Sequence, residues 1–277
     1  MAAANSRFLR RAWVVVADAF GHFNADDGWA MASHVALSAL MALFPFLIFV
    51  AALAGSIGQA PLAKRVAEIL FATWPEQVAG PISAEVSRVL TQAHGSLLTV
   101  SAVVALYLAS NGVEAARTAL NRAYRVVDRR SIFFRRGQSL VFVLVGAAAF
   151  LFAAVIAVAA AGLPALVQFQ QGIAYAGLVL TSVLVVAGLV VAHLFLPAGR
   201  PPWRALWPGV VGTLAAWVIA GWVFAIYLKE FANYTATYAG LAGTVIAIFF
   251  LYVVALLMIF GAEFNAALQR LRDQRIG

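Results

Sequence analysis

Stretches of roughly 20 apolar residues recur along this chain, all but one long enough to cross a bilayer at about 1.5 Å rise per residue. They fall at about 29–58, 96–111, 138–162, 172–196, 205–228 and 239–262. A soluble domain would be about half apolar and about a quarter charged. Here 64% of the 277 residues are hydrophobic and 11% charged, with a mean hydropathy of +0.93. The expected fold class is therefore all-α: a polytopic membrane protein of six transmembrane helices in a single membrane domain, 1–277. The second span is short, and its helix is expected to run on through Tyr124 into a basic cytoplasmic extension, 112–137.

The segments outside the spans are read as short amphipathic helices. In 1–28, Leu9, Trp13, Val16, Phe20 and Phe23 form one stripe with Arg7, Arg10, Arg11 and Asp18 off it, the pattern of a helix lying in the cytoplasmic interface. The apolar run Ala12 to Ala17 is too short for a secretory signal peptide. Asp26 or Asp27 suits the N-cap of the first span. In 59–95, Val66, Ile69 and Leu70, and after Pro81 Ile82, Val86, Val89 and Leu90, predict two short helices capping the outer face.

Positive charge sets the orientation. With both termini inside, cytoplasmic segments hold fifteen of the nineteen Lys and Arg. The outer side keeps only Lys64, Arg65, Arg88 and Lys229. Translocating lysine and arginine is costly, so the asymmetry predicts an N-in, C-in topology and accounts for the net charge of +8 without nucleic acid. Ala149, Ala153, Ala157 and Ala161, and likewise Gly212, Ala216 and Ala220, predict close helix packing. Trp203 and Trp207 mark an inner edge, and Tyr227, Tyr234 and Tyr238 an outer one.

Ionisable groups near the spans cluster at one depth. His34 opens a span entering from the cytoplasm, while Glu114, His193 and Glu263 close spans arriving there. The midplane, near Pro45, Ala105, Phe150, Leu184, Trp217 and Phe250, is free of charge, with Ser101, Tyr107, Thr181 and Ser182 its polar residues. Ion-coupled transporters keep a polar site near the midplane, so an amphiphile held by its charged end at the inner surface fits better than a small polar solute.

Tyr107, Ser110/Asn111, Glu114, Arg117/Thr118 and Asn121 form a polar stripe at helical spacing. It is either a substrate path or a set of packing contacts in which Glu114 pairs with Arg117. His34, Ser38, Met41 and Pro45 share a face, and Pro45 is expected to kink its helix. His34 is either an interfacial hydrogen-bonding residue or a proton relay. Glu263 and Asn265 face the same inner cavity or the headgroups. Arg122, Arg125, Arg129, Arg130, Arg135 and Arg136 either contact anionic lipid headgroups or act only as topology determinants.

The chain has no cysteine, no nucleotide-binding glycine loop, no H-E-x-x-H and no histidine-rich cluster. No cofactor or metal is expected, and no enzyme activity.

Three stretches then resemble the YihY/BrkB family of bacterial inner-membrane proteins. They are Ala36-Leu-Ser-Ala-Leu-Met-Ala-Leu-Phe-Pro-Phe-Leu47, Ser110-Asn-Gly-Val-Glu-Ala-Ala-Arg-Thr-Ala-Leu-Asn-Arg-Ala-Tyr124, and Tyr238-Ala-Gly-Leu-Ala-Gly243 leading to Gly261-Ala-Glu-Phe-Asn265. The resemblance implies a bacterial inner-membrane location and a transport or envelope role. Family members once carried a ribonuclease label, which these residues do not support. It singles out Ser110, Asn111, Glu114, Asn121, Tyr124, Glu263 and Asn265. The expected function is a non-ATP-driven transporter or envelope-lipid factor with an inner-leaflet cavity lined by the first, second and last spans. The alternative is a membrane scaffold or assembly protein.

Overall fold

The computed structural model describes residues 2–56, 98–162, 170–199, 201–230 and 242–274. They form α1 (Ala2–Ala25), α2 (Gly28–Ser56), α3 (Leu98–Ala123), α4 (Ile132–Gly162), α5 (Gln170–Phe195), α6 (Trp203–Glu230) and α7 (Ala242–Asp273), and no strand is present among them. Ile132–Ala153, Trp203–Leu228 and Val245–Asp273 are long and apolar enough to cross a membrane, while Gly28–Leu43 and Val179–Phe195 are shorter apolar stretches. The two helices expected in 59–95, with Lys64, Arg65 and Arg88, lie outside the described residues, as do Tyr234 and Tyr238.

Outward faces are apolar: Val103, Val141, Val179 and Val218 are each more than half exposed. Lipid is the solvent that tolerates such a surface. Inside, α2 packs on α3 and α7, and α7 also takes α6 and α1. Where a polar cavity was expected among α2, α3 and α7, those helices meet through buried Ala32, Val35, Ala115, Ala119, Ile259 and Ala262. α2 runs through Pro45 without interruption.

The closest α6–α7 approach uses glycines outside the expected set. A Cβ on Gly261 would collide with the Thr213 hydroxyl, and one on Gly209 with the Gly261 carbonyl and Asn265. Gly212 faces open space, so the α6 seam runs through Gly209 and Thr213 rather than Gly212, with Ala216 and Ala220 half-buried. On α4 Val143, Ala147 and Leu151 are buried, two residues out of step with the half-buried Ala149 and Ala153, while the side chains of Ala157 and Ala161 lie outside the described residues. Spacing on one helix reveals that a seam exists. Only the partner helix decides its phase.

The expected α1 stripe divides for the same reason. Val15 and Ala19 pack on Ala267 of α7, and Phe23 enters the core edge-to-face with Trp29 and Phe260. Trp13, Val16 and Phe20 remain exposed. Asp27 occupies the expected N-cap position, its carbonyl accepting from Met31 N–H at 2.9 Å, but its carboxylate pairs with Arg122 at 3.0 Å.

α3 ends where the sequence suggested. Val126 N–H reaches back to Asn121 O at 2.9 Å and Arg125 N–H to Arg122 O at 3.0 Å, a Schellman closure. The left-handed position in that motif usually holds glycine. Here it holds Arg125, at φ 53°.

Candidate functional site

The polar stripe on α3 is a docking face for arginines. Arg117 is buried and donates to Glu114 Oε1 at 2.6 Å and to Ser139 Oγ at 2.8 Å. The Ser139 hydroxyl in turn donates to the same Glu114 oxygen at 2.9 Å, closing a triangle between α3 and α4. Thr118 spends its hydroxyl on Glu114 O within its own helix. Above the triangle, Arg136 of α4 donates to Ser110 Oγ at 2.9 Å and Asn111 Oδ1 at 2.8 Å.

Below it, Arg130 grips Asp128 with two parallel bonds of 2.7 and 2.6 Å. Asp128 lies in the loop between α3 and α4. The Arg130 hydrogen bonds hold its carboxyl down to about 2, outweighing burial, with Asn121 assisting. Arg130 also donates to Leu196 O at 2.7 Å, and Gln138 Nε2 to Phe195 O at 2.7 Å, which satisfies carbonyls at the end of α5. Asn121 bridges the same elements, donating to Asp128 at 3.2 Å and accepting from Ala198 N–H at 2.8 Å.

A second cluster joins the α1–α2 corner to α3 and α7. Arg125 pairs with Asp26 at 2.6 Å and with buried Glu263 at 3.5 Å. Nearby, Arg270 of α7 donates to Asp18 of α1 at 2.7 Å and approaches His22 Nδ1 at 3.2 Å. Asn265 is a buried pin between α7 and α6: its Oδ1 accepts from Gly209 N–H at 2.7 Å, and its Nδ2 donates to Leu206 O at 3.0 Å and Tyr124 OH at 3.4 Å. Pro208 lacks an N–H, so this part of α6 needs an outside partner. His193, also buried, stands edge-to-face with Tyr124, bonds Leu189 O through Nδ1, and leaves Nε2 unbonded.

Of the residues singled out from sequence, the structure brings Ser110, Asn111, Glu114, Arg117, Asn121 and Tyr124 into this framework with Glu263 and Asn265. It leaves His34 exposed on α2 and half-buries Ser38. Among the six arginines expected at headgroups, Arg122, Arg125 and Arg130 hold carboxylates. Arg136 holds neutral partners, Arg129 is exposed, and Arg135 buries an unbonded Nε. Sequence reading missed Asp128, Ser139 and Gly209. Asp128 was the findable one, a lone acid in a run of arginines.

A separate feature is apolar. A groove of about 610 Å³ opens sideways between α5, α6 and α7, walled by Val185, Trp217, Gly221, Phe224, Phe250 and Val254 among others. The indole N–H of Trp217 donates to Val254 O at 3.0 Å, so it offers no free donor to an occupant.

The chain matches the family described as virulence factor BrkB over residues 19–277. It belongs to that family. It is 27% identical over 260 residues to a ribonuclease-like protein, YfkH, of Bacillus subtilis (strain 168), covering 91% of this chain and 94% of that one. It is 25% identical over 273 residues to the UPF0761 membrane protein RC1_0578 of Rhodospirillum centenum (strain ATCC 51521 / SW). That match covers 95% of this chain but 59% of the relative. No solved structure matches the chain.

Membership makes this a membrane-family protein, in keeping with its apolar outer faces. The seven polar residues through which the family resemblance was drawn all make hydrogen bonds or ion pairs inside the bundle. Ser110, Asn111, Glu114 and Asn121 tie α3 to the segment that follows it. Tyr124, Glu263 and Asn265 tie α3 to α7, and Asn265 reaches α6.

Proposed function

We propose that this protein is a six-span bacterial inner-membrane factor, both termini cytoplasmic, that handles a lipid or similar amphiphile without ATP. The hydrocarbon part of that amphiphile occupies the groove between α5, α6 and α7. The groove is the observation that carries the reading. Its 610 Å³ falls within the roughly 300–1,000 Å³ of small-molecule sites. Its side-chain wall is apolar apart from an indole N–H already engaged, which suits an acyl chain and not a hydrophilic solute.

The inner end of α6 completes the fit. Trp207 lies ten residues before Trp217, about 15 Å along a helix, or half a hydrocarbon core of about 30 Å. Exposed Arg204, with its guanidinium 5.6 Å from the Trp203 ring, lies at that end. A headgroup near Arg204 would thus leave its chain level with the groove. Among the described residues no three His, Asp or Glu side chains group as a metal site, and we propose no catalytic step.

Gly221 supplies the test, since a Cβ there meets nothing within 4 Å. Gly221→Trp should fill the groove without displacing backbone. Lipid analysis of the purified variant should show loss of a species that wild type retains. Identical lipid content in both would remove the reading. The second reading is a scaffold, favoured by the saturation of the polar framework. It predicts that Gly221→Trp complements a deletion fully.

A further inference from the structure

Arg136 differs from the other arginines of its segment in what surrounds it. Arg117, Arg122, Arg125 and Arg130 each hold a carboxylate. Arg136 instead rests on three neutral groups: Ser110 Oγ, Asn111 Oδ1, and the Tyr107 hydroxyl at 3.3 Å. Its guanidinium carbon also lies 4.5 Å from the centre of the Tyr107 ring. Ser110 is fully buried and donates its own proton to Tyr107 O at 2.6 Å, so its lone pairs are committed to the arginine. These contacts orient the cation without neutralising it. No carboxylate among the described residues lies within ion-pair distance of it.

A guanidinium has five N–H donors, and three are spent here. The remaining hydrogens are on Nε and Nη2, atoms that flank one edge of the planar group. That edge is the one a phosphate or carboxylate takes with two parallel bonds. The surroundings select the carrier. Val103, Leu108 and Val141 on α3 and α4 are exposed and apolar, and Phe133 and Phe134 stand exposed in the first turn of α4. A cation between an apolar wall and exposed aromatics matches the level of a headgroup over its acyl chains.

We infer that Arg136, cradled by Tyr107, Ser110 and Asn111, binds the phosphodiester of an anionic membrane lipid at the α3–α4 face. The site goes beyond the groove reading and does not depend on it. It also divides the arginine run, with most members serving as internal staples and Arg136 presented outward.

The experiment uses the full chain in phosphatidylcholine nanodiscs doped with phosphatidylglycerol, with native mass spectrometry counting retained lipids. Wild type should prefer phosphatidylglycerol, and Arg136→Gln should lower that preference about tenfold, the loss of a charge-assisted pair. Arg136→Lys keeps the charge but loses the fork, and should fall between them. It decides the matter should the glutamine variant fail to fold. Arg129→Gln, removing an exposed arginine with no described partner, should leave the preference in place. So should Gly221→Trp, which separates this site from the groove. Equal retention of the two lipids by wild type, or by the lysine variant and wild type, would overturn the proposal. Release of phosphatidylglycerol by inorganic phosphate would also overturn it, by assigning the site to a free anion.

Discussion

Removing the charge of Glu114 should destabilise the protein more than removing the charge of Arg117. Both are ends of one 2.6 Å ion pair, but Arg117 is 1% exposed and Glu114 24%. Glu114→Gln keeps an acceptor near the guanidinium and strands a buried cation on Ser139 Oγ and on Gln138 Oε1, which Arg117 also reaches at 3.3 Å. Breaking a buried pair from one side costs about 3–5 kcal/mol, and the retained acceptor reduces that to about 2–3. Arg117→Met refills much of the buried stem and leaves a carboxylate that keeps the Ser139 hydroxyl and some solvent access, at about 1–2 kcal/mol. The double variant removes both charges and should recover about 1 kcal/mol over additivity. At about 2–4 °C per kcal/mol, Glu114→Gln should melt about 4–12 °C lower, followed through the seven tryptophans in nanodiscs. Equal effects of the two single variants, or strict additivity in the double, would refute the reasoning.

Asn265→Ala should cost about 2 kcal/mol, because Gly209 N–H loses its partner in a helix already short of a donor at Pro208, and the same melting assay should show it. Arg125→Gly should be about 1 kcal/mol less damaging than Arg125→Gln: both lose the pairs to Asp26 and Glu263, but only glycine relaxes at φ 53°. For Asp128, the folded carboxyl at about 2 lies below its ordinary 3.8, so its contribution is complete above 3.8 and is lost as pH falls through about 2. The melting difference between wild type and Asp128→Asn, about 2 kcal/mol at neutral pH, should shrink across that window; a pH-independent gap would contradict it.

Helix content and the apolar stretches were legible because they depend on composition along the chain. So were the continuation of the second expected helix past Asn111, which runs to Ala123, and the Glu114–Arg117 pairing, since i, i+3 spacing needs no partner element. Phase was not legible. Gly212 reads as well as Gly209 until Gly261 is set across from it. Arg136 reads like every other arginine of its run until Tyr107, Ser110 and Asn111 are seen beneath it, with no carboxylate among the described residues to hold it. The groove left no local signature, because its wall draws on three helices whose residues are individually ordinary apolar side chains.

The most direct test of the lipid-handling account is photocrosslinking with a phospholipid carrying a diazirine midway along its acyl chain, mapped by mass spectrometry. The account predicts labelling concentrated on Trp217, Gly221, Phe224 and Val254, and abolished in Gly221→Trp. Labelling spread evenly over outward residues such as Val103, Val141 and Val179, and unchanged in that variant, would contradict it.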